Sequence, residues 1–530
     1  MFRDRDFDVK APLPPMSEAV AQDLGLDTLF DAMAAADEFL REIARRALFG
    51  SLAEPAEIGY RQQILRDCLA FPAVVREMYA LAVEVLERER KIWGWALDRY
   101  PETVLRRSLE ALRLFLEGLR RLRGLAEAHS TEAQSAGFKT LFAMLRAELS
   151  EDYLQKIEAH ARQLELREGV LLEAHLGEGN AVQGYTLRKL PDTRAGVLGK
   201  IWTWIDQLGS PEHARFVYQL ADRDEAGHQA LGEIRSRGLV ATAVSLGRST
   251  DHILSFFTSL RAELGFYVGC LNLRERLAAK GDPIAIPEVI PAQPYGASSA
   301  TLRLDARGLY DVALTLNMQD RVIGNDLKAD DKQLIVITGA NRGGKTTFLR
   351  SLGQALLMMQ CGLYVGAEAL RATTCSGVFT HFKREEDRAM RMGKLDEELA
   401  RMSAIVERVR SGGCVLFNES FASTNEREGS EIARQVIRAL LEAGVRIAYV
   451  THLYDLARSL CHMRGDATLF LRAERLADGE RTFRVTEGDP LPTSYGRDLY
   501  RRIFDGGPEG QGTGRPDVED GRNLAHRGGE

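Results

Sequence analysis

Cysteine is sparse in this 530-residue chain, and its six copies (Cys68, Cys270, Cys361, Cys375, Cys414 and Cys461) stand far apart. None forms a C-x-x-C pair, so neither a zinc site nor a disulfide framework is expected. Reduced thiols and a cytoplasmic location are the plain expectation. No uninterrupted apolar run reaches the ~18 residues that a membrane-spanning helix needs. The first residues, MFRDRDFD, are charged and lack the apolar stretch of a signal peptide. Positive charge is not in excess: 70 Lys and Arg face 76 Asp and Glu, for a net charge of −6. Any nucleic-acid contact must then come from a local basic face. Convincing internal repeats are also missing.

What is present divides the chain. From about residue 16 to 165 it is rich in Leu, Ala, Arg and Glu with little Gly-Pro punctuation, and reads as helix. In VLRRSLEALRLFLEGLRRL, Leu105, Leu109, Leu112, Leu116 and Leu119 recur at steps of four and three, a packing seam. Arg106, Arg113 and Arg120 fall on another face, with Arg107, Arg121 and Arg123 nearby. A solvated flank beside the seam is the ordinary reading of such arginines. A stripe that contacts DNA phosphates is the sharper one. Around 166–190 a Gly-Glu-Gly-Asn turn between two short runs suggests a β-hairpin. Helices are expected again at 211–235 and 250–280, the second with an apolar face of Ile253, Phe256, Phe257, Leu260, Leu264, Tyr267 and Leu271. The proline-dense stretch from Asp282 to Gly296 reads as a linker. An α/β pattern follows, then a polar, Gly-rich end. The expected organisation is a helical region over 1–290, an α/β nucleotide-binding domain over 300–505 and a disordered tail over 506–530.

The chemistry is concentrated in ITGANRGGKTTFLR, Ile337 to Arg350, where Gly339 to Thr346 satisfies G-x-x-x-x-G-K-[ST]. A β-rich run precedes it and a helix pattern follows, which disfavours a chance glycine turn. Backbone N–H groups from Asn341 through Gly343 and Gly344 to Lys345 can curl around a phosphate at a helix N-terminus. Lys345 can reach the β- and γ-phosphates, and the Thr346 hydroxyl can ligate Mg²⁺. Thr347 completes this candidate ATP and Mg²⁺ set. A second strand, Cys414 to Phe417, ends in Asn418-Glu419. Glu419 there can polarise an attacking water. Asn418 stands where a metal-associated aspartate is usual, and an amide brings no charge. A third strand, in VRIAYVTHLYDL, ends in Thr451-His452, which places His452 to sense the γ-phosphate or the water.

These residues resemble the MutS mismatch-repair ATPases. TGANRGGKTTFLR is similar to that family's TGPN-x-GGKST-x-L-R loop, with Ala340 for proline and Thr346 for serine. Gln360 to Ala372 resembles the G-x-x-V-P-A segment, and the similarity extends to Thr424, Gly429 and Thr451-His452. Val322 to Leu327 is similar to the segment that places an Asn, here Asn325, near adenine. Gly59 to Leu69 resembles the Arg-Gln element of the family's core domain. The resemblance implies a mainly α core and lever followed by an α/β ABC-type P-loop ATPase, working as a homodimer on DNA in repair or recombination. Met390 to Leu399 falls where the family's trans-acting loop lies.

Three departures bear on hydrolysis and dimer coupling rather than on nucleotide binding. The family's D-E is Asn418-Glu419, its G-R-G-T-S-T run reads Phe421 to Glu426, and its trans-acting serine is Gly393. The family's mismatch reader carries F-x-E. The string Phe115-Leu116-Glu117 lies inside the seam helix, so no mismatch wedge is expected in these residues, and no nuclease-like tail follows the ATPase in them. The leading expectation is an ATP-driven clamp on branched or otherwise non-standard DNA. The other is a nucleotide-gated module that binds protein partners. A long coiled-coil ATPase is excluded, because the loop lysine and Glu419 are only about 75 residues apart.

Overall fold

The computed structural model describes residues 2–93, 100–165, 171–176, 182–188, 225–292, 302–340, 342–384, 393–461, 465–476 and 481–490. Asn341, the turn of the expected hairpin, Met390 to Met392 and the expected tail lie outside the described residues. The chain is helical in its N-terminal part and mixed α/β beyond. It divides into two compact units, 1–330 with 350–380, and 331–349 with 381–530.

The first unit holds α1 (Ser17–Leu24), α2 (Leu26–Ala34), α3 (Glu38–Phe49), α4 (Pro55–Ala70), α5 (Pro72–Trp93), α6 (Pro101–His129), α7 (Ala136–Glu148), α8 (Glu151–Gln163) and α9 (Glu225–Lys280). Strands β1 (Leu171–Leu176) and β2 (Val182–Arg188) pair antiparallel. The expected seam forms: Leu105, Leu109, Leu112 and Leu116 of α6 pack with Leu154 and Ala161 of α8 and Leu239 and Ala243 of α9. Helix α9 is one 56-residue element that runs unbroken between the helices expected at 211–235 and 250–280, of which 211–224 lies outside the described residues. Gly238 and Gly247 weaken a helix by about 1 kcal/mol each, but no proline interrupts the ladder. Burial of Leu239 and Ala243 against α6 carries it through.

Phe115 is fully buried and stacks on Phe257 of α9, ring centroids 5.9 Å apart. It is a core residue, unavailable as a wedge. Phe115→Ala should lower unfolding stability by about 3–5 kcal/mol, read from denaturant melts. A loss below 1 kcal/mol would mean that the stack is not formed.

Arg61 of α4 is also buried, only 1% exposed, and its guanidinium donates to the Cys361 carbonyl at 3.1 Å. Its neighbour Gln62 donates to the Pro287 carbonyl at 3.1 Å. The Arg-Gln pair singled out in the sequence is therefore an internal tie. Burial pushes the Arg61 guanidinium below its ordinary value. A four-stranded sheet completes this unit, in the order β3 (Glu288–Ile290), β7 (Ala369–Thr373), β4 (Leu304–Leu309), β5 (Asn325–Lys328), with helix α10 (Val312–Asn317) beside it in sequence. This unit thus takes in 302–330 and 350–380, which the sequence reading groups with the nucleotide site.

A six-stranded sheet runs β12 (Arg481–Glu487), β11 (Thr468–Arg475), β6 (Leu334–Thr338), β10 (Arg446–Val450), β9 (Cys414–Asn418), β8 (Val378–Phe382). Strands β11, β6, β10 and β9 pair in parallel, and β12 is antiparallel to β11. Every residue of β6 and β10 is buried, as central parallel strands require. Helices α11 (Lys345–Gln360), α12 (Lys394–Arg408), α13 (Glu426–Glu442) and α14 (Tyr454–Cys461) alternate with these strands in sequence. No helix among the described residues is long and apolar enough to cross a membrane.

Candidate nucleotide site

Register brings three strand ends together. Ile337 pairs with Val450, and Val450 with Asn418, so β6, β10 and β9 stop at one level. The carboxyl ends of parallel strands are where α/β sheets bind ligands. Gly339-Ala340, Asn418-Glu419 and Thr451-His452 leave the sheet from that edge.

The loop is shaped by its glycines. Gly339 has φ +115°, and a Cβ there would meet the Ala473 nitrogen of β11 at 2.9 Å. A Cβ at Gly343 would meet the Ala473 Cβ at the same distance. Helix α11 begins at Lys345, so its unpaired N–H groups face the loop. Lys345 is buried, and its ammonium donates to the Gly339 and Ala340 carbonyls at 2.8 and 2.9 Å. Burial pushes its pKa below the ordinary lysine value, and the Glu419 carboxylate opposes that shift. A flexible ammonium resting on two loop carbonyls can turn to a phosphate without moving the backbone.

The Thr346 hydroxyl donates to Asn418 Oδ1 at 3.0 Å. The expected metal pair is therefore in hydrogen-bond contact. Glu419 has φ +52°, a left-handed conformation that costs a residue other than glycine about 1–3 kcal/mol. Its N–H donates to the Val450 carbonyl at 2.9 Å, which anchors the strained position. His452 Nδ1 stands 3.9 Å from Glu419 Oε1, an ion-pair rather than a hydrogen-bond distance. That interaction is the chief influence holding the Glu419 carboxyl below the usual carboxylate range. Burial opposes it, and Lys345 and Lys383 add to it. A half-buried, ionised carboxylate beside Lys345 can accept a proton from water at neutral pH.

The fit to a Mg²⁺-nucleotide follows from these donors. The loop supplies N–H groups and a cation for phosphate oxygens, and Thr346 with Asn418 supplies neutral oxygens for a metal. No cluster of three acidic, His or Cys side chains that could hold a metal alone occurs among the described residues. A metal here would depend on the phosphates for most of its ligands.

Other expected residues lie elsewhere. Thr347 is half-buried in the first turn of α11. Asn325 belongs to the first unit, on β5, where its amide donates to the Ile323 carbonyl at 3.5 Å. Gly393 is the exposed N-cap of α12. In the arginine stripe, Arg113 pairs with Glu165, and Arg120 pairs with Glu158 and Glu151. Arg106 is exposed.

Ala473 and Glu398, which the sequence reading passed over, and Gly429, which it named, complete the site's surroundings. Ala473 of β11 backs the loop. A Cβ at Gly429 of α13 would stand 2.2 Å from the Phe421 carbonyl, so the helix meets the chain after Glu419 at backbone distance. Glu398 of α12, with 4% of its surface exposed, also reaches that chain. A carboxylate inside an otherwise amphipathic helix was the available signal for Glu398.

The family described as MutS2 N-terminal domain matches residues 53–280, and MutS domain V matches residues 335–499. Endonuclease MutS2 of Thermus thermophilus is 33% identical over 135 residues, 25% of this chain and 18% of that protein. DNA mismatch repair protein MutS of Lactococcus lactis subsp. cremoris is 26% identical over 304 residues, 55% of this chain and 35% of that protein. Putative endonuclease MutS2 of Bacillus subtilis is 32% identical over 139 residues, 26% of this chain and 18% of that protein. The similarity thus spans between about a fifth and a third of the length of these curated relatives.

Proposed function

Because this chain belongs to the MutS family, with neither matched region a mismatch-reading domain, we propose that it binds and hydrolyses ATP with an ABC-type P-loop site. It acts as a homodimeric clamp on branched or otherwise non-standard duplex DNA, in repair or recombination. The observation that carries this reading is the meeting of Lys345, Thr346, Asn418, Glu419 and His452 at one level of one sheet edge.

The loop amides of Gly343 and Gly344 and the Lys345 ammonium hold the phosphates. Thr346 and Asn418 would hold Mg²⁺, which would supply neutralisation of phosphate charge. Glu419 orients the attacking water and takes its proton, and His452 steadies the Glu419 carboxylate. Asn341 joins the loop's phosphate contacts, and Thr347 supports them.

Asn418 sets the metal demand. Asn418→Asp adds a charge beside the metal and strengthens the bond from Thr346, so half-saturation by Mg²⁺ should fall by at least about threefold. Titrating Mg²⁺ against steady-state turnover reads this directly. An unchanged midpoint removes position 418 from the metal's surroundings.

DNA contact is assigned to the Arg106, Arg113 and Arg120 face. The ion pairs that occupy Arg113 and Arg120 are partly exposed, worth about 0–1 kcal/mol each, and can be exchanged for phosphates. The same pairs favour the second reading, a nucleotide-gated module for protein partners, because they satisfy the arginines without DNA. Steady-state hydrolysis, alone and with homoduplex, mismatched and branched DNA, separates the two. Stimulation by one DNA form supports the clamp and names its substrate. Turnover indifferent to every DNA, together with no binding at low salt in ATP, supports the partner module.

A further inference from the structure

The chain that follows Glu419 is held by a set of buried polar side chains. Phe421, like Glu419, is left-handed, with φ +60°, so two residues with side chains stand in that region within three positions. Each such residue persists only where its surroundings over-determine it. Here the surroundings are specific. The Glu398 carboxylate accepts the Phe421 N–H at 2.8 Å on one oxygen and the Ser423 hydroxyl at 2.9 Å on the other. Ser420 Oγ lies 2.7 Å from His381 Nδ1 and 2.6 Å from the His381 carbonyl. His381 Nε2 lies 3.0 Å from the Glu398 carbonyl, so that nitrogen carries the donated proton, and the Ser420 hydroxyl donates its one proton to the His381 carbonyl with Nδ1 beside it. The Tyr449 hydroxyl donates to the Ser420 carbonyl at 2.9 Å. Phe421 is fully buried, and its ring stacks on His381 at 5.3 Å.

We infer that Glu398, with His381 and Ser420, is a positioning device that fixes the Glu419-to-Phe421 turn to helix α12, so that the place of this helix governs whether Glu419 faces the water.

This inference rests on the ATPase reading and adds a regulator to the same site. Among the described residues, the hydrogen bonds of these three side chains go to one another and to Phe421 and Ser423, next to Glu419, and not to the loop that holds the phosphates. Burial keeps His381 uncharged, its pKa pushed down to about 4, so no charge enters this set of contacts across the working range. Helix α12 starts at Lys394 after its cap Gly393, and its second turn carries Glu398, five residues past that cap. A shift of the helix start is therefore felt at the Phe421 N–H within one and a half turns.

The test compares Glu398→Ala, Glu398→Gln and Ser420→Ala in the full chain, with Lys345→Ala as control. Turnover, KM and binding of a fluorescent ATP analogue are measured, and circular dichroism checks the fold. Glu398→Ala should lower kcat at least about tenfold while KM and nucleotide affinity stay within about twofold. Glu398→Gln still accepts the Phe421 N–H and should return kcat to within about threefold of the parent. Ser420→Ala should lower kcat about threefold or more, again at constant KM. It decides the matter if Glu398→Ala does not fold. Unchanged kcat in the folded variants overturns the inference, as does a loss of kcat and affinity together or a failure of glutamine to restore. If Lys345→Ala hydrolyses normally, the ATPase reading itself is at fault, and the two failures are thereby told apart.

Discussion

Lys345→Ala abolishes nucleotide turnover, with kcat/KM down by about a hundredfold to a thousandfold, the usual cost of removing one preorganised electrostatic group. Lys345 is the buried cation of the loop, and its contacts are with the loop's own Gly339 and Ala340 carbonyls. Alanine removes the ammonium from both carbonyls, but the Ala340 carbonyl keeps the Gly343 N–H and a buried charge is removed, so the fold should lose little stability. Binding of a fluorescent ATP analogue and steady-state hydrolysis are measured together. Both fall if the amine holds ground-state phosphate. If only turnover falls, its contribution is confined to the transition state. Full activity in the variant would place the nucleotide somewhere other than this loop.

Glu419→Gln separates binding from chemistry. Glutamine keeps the size and accepts the same left-handed backbone, but it cannot take a proton. Turnover should fall by about 10²–10⁴-fold with ATP affinity nearly unchanged, so that the variant holds unhydrolysed ATP. The pH profile follows from the direction of the shift. The folded-state value of Glu419 is depressed below 4.5, chiefly by His452, so the carboxylate is ionised throughout the neutral range. The stability this depression contributes is present above the unfolded value and is lost as pH falls through the folded value. An acid limb of kcat/KM caused by Glu419 therefore lies below 4.5, and none caused by it appears near neutrality. Wild-type turnover in Glu419→Gln would mean that another group activates the water.

The site was legible because its parts are local in sequence. A glycine loop between a β run and a helix, and two short apolar strands ending in Asn418-Glu419 and Thr451-His452, each announce themselves within a dozen residues. The parallel register then brings those ends together. The seam of α6 was legible for the same reason, since its leucines repeat within one helix. What could not be read depends on distant partners. The acids that engage Arg113 and Arg120 come from α8 and just beyond it, and nothing in the arginine spacing reveals them. The continuity of α9 past Gly238 and Gly247 comes from burial against α6, which propensity does not contain. Glu398 and Ala473 matter through contacts that the motif patterns do not encode.

Ala473 bears further on how the phosphate loop is made. The loop is cast against β11 as against a mould, with the Ala473 backbone closest to Gly339 and its methyl group closest to Gly343. A larger side chain at 473 would push the cradle out of shape without altering any residue of the G-x-x-x-x-G-K-T string. The string is thus necessary for the pocket and insufficient for it. In this chain the ninth letter of the nucleotide motif is written more than a hundred residues downstream, in a strand that performs no chemistry.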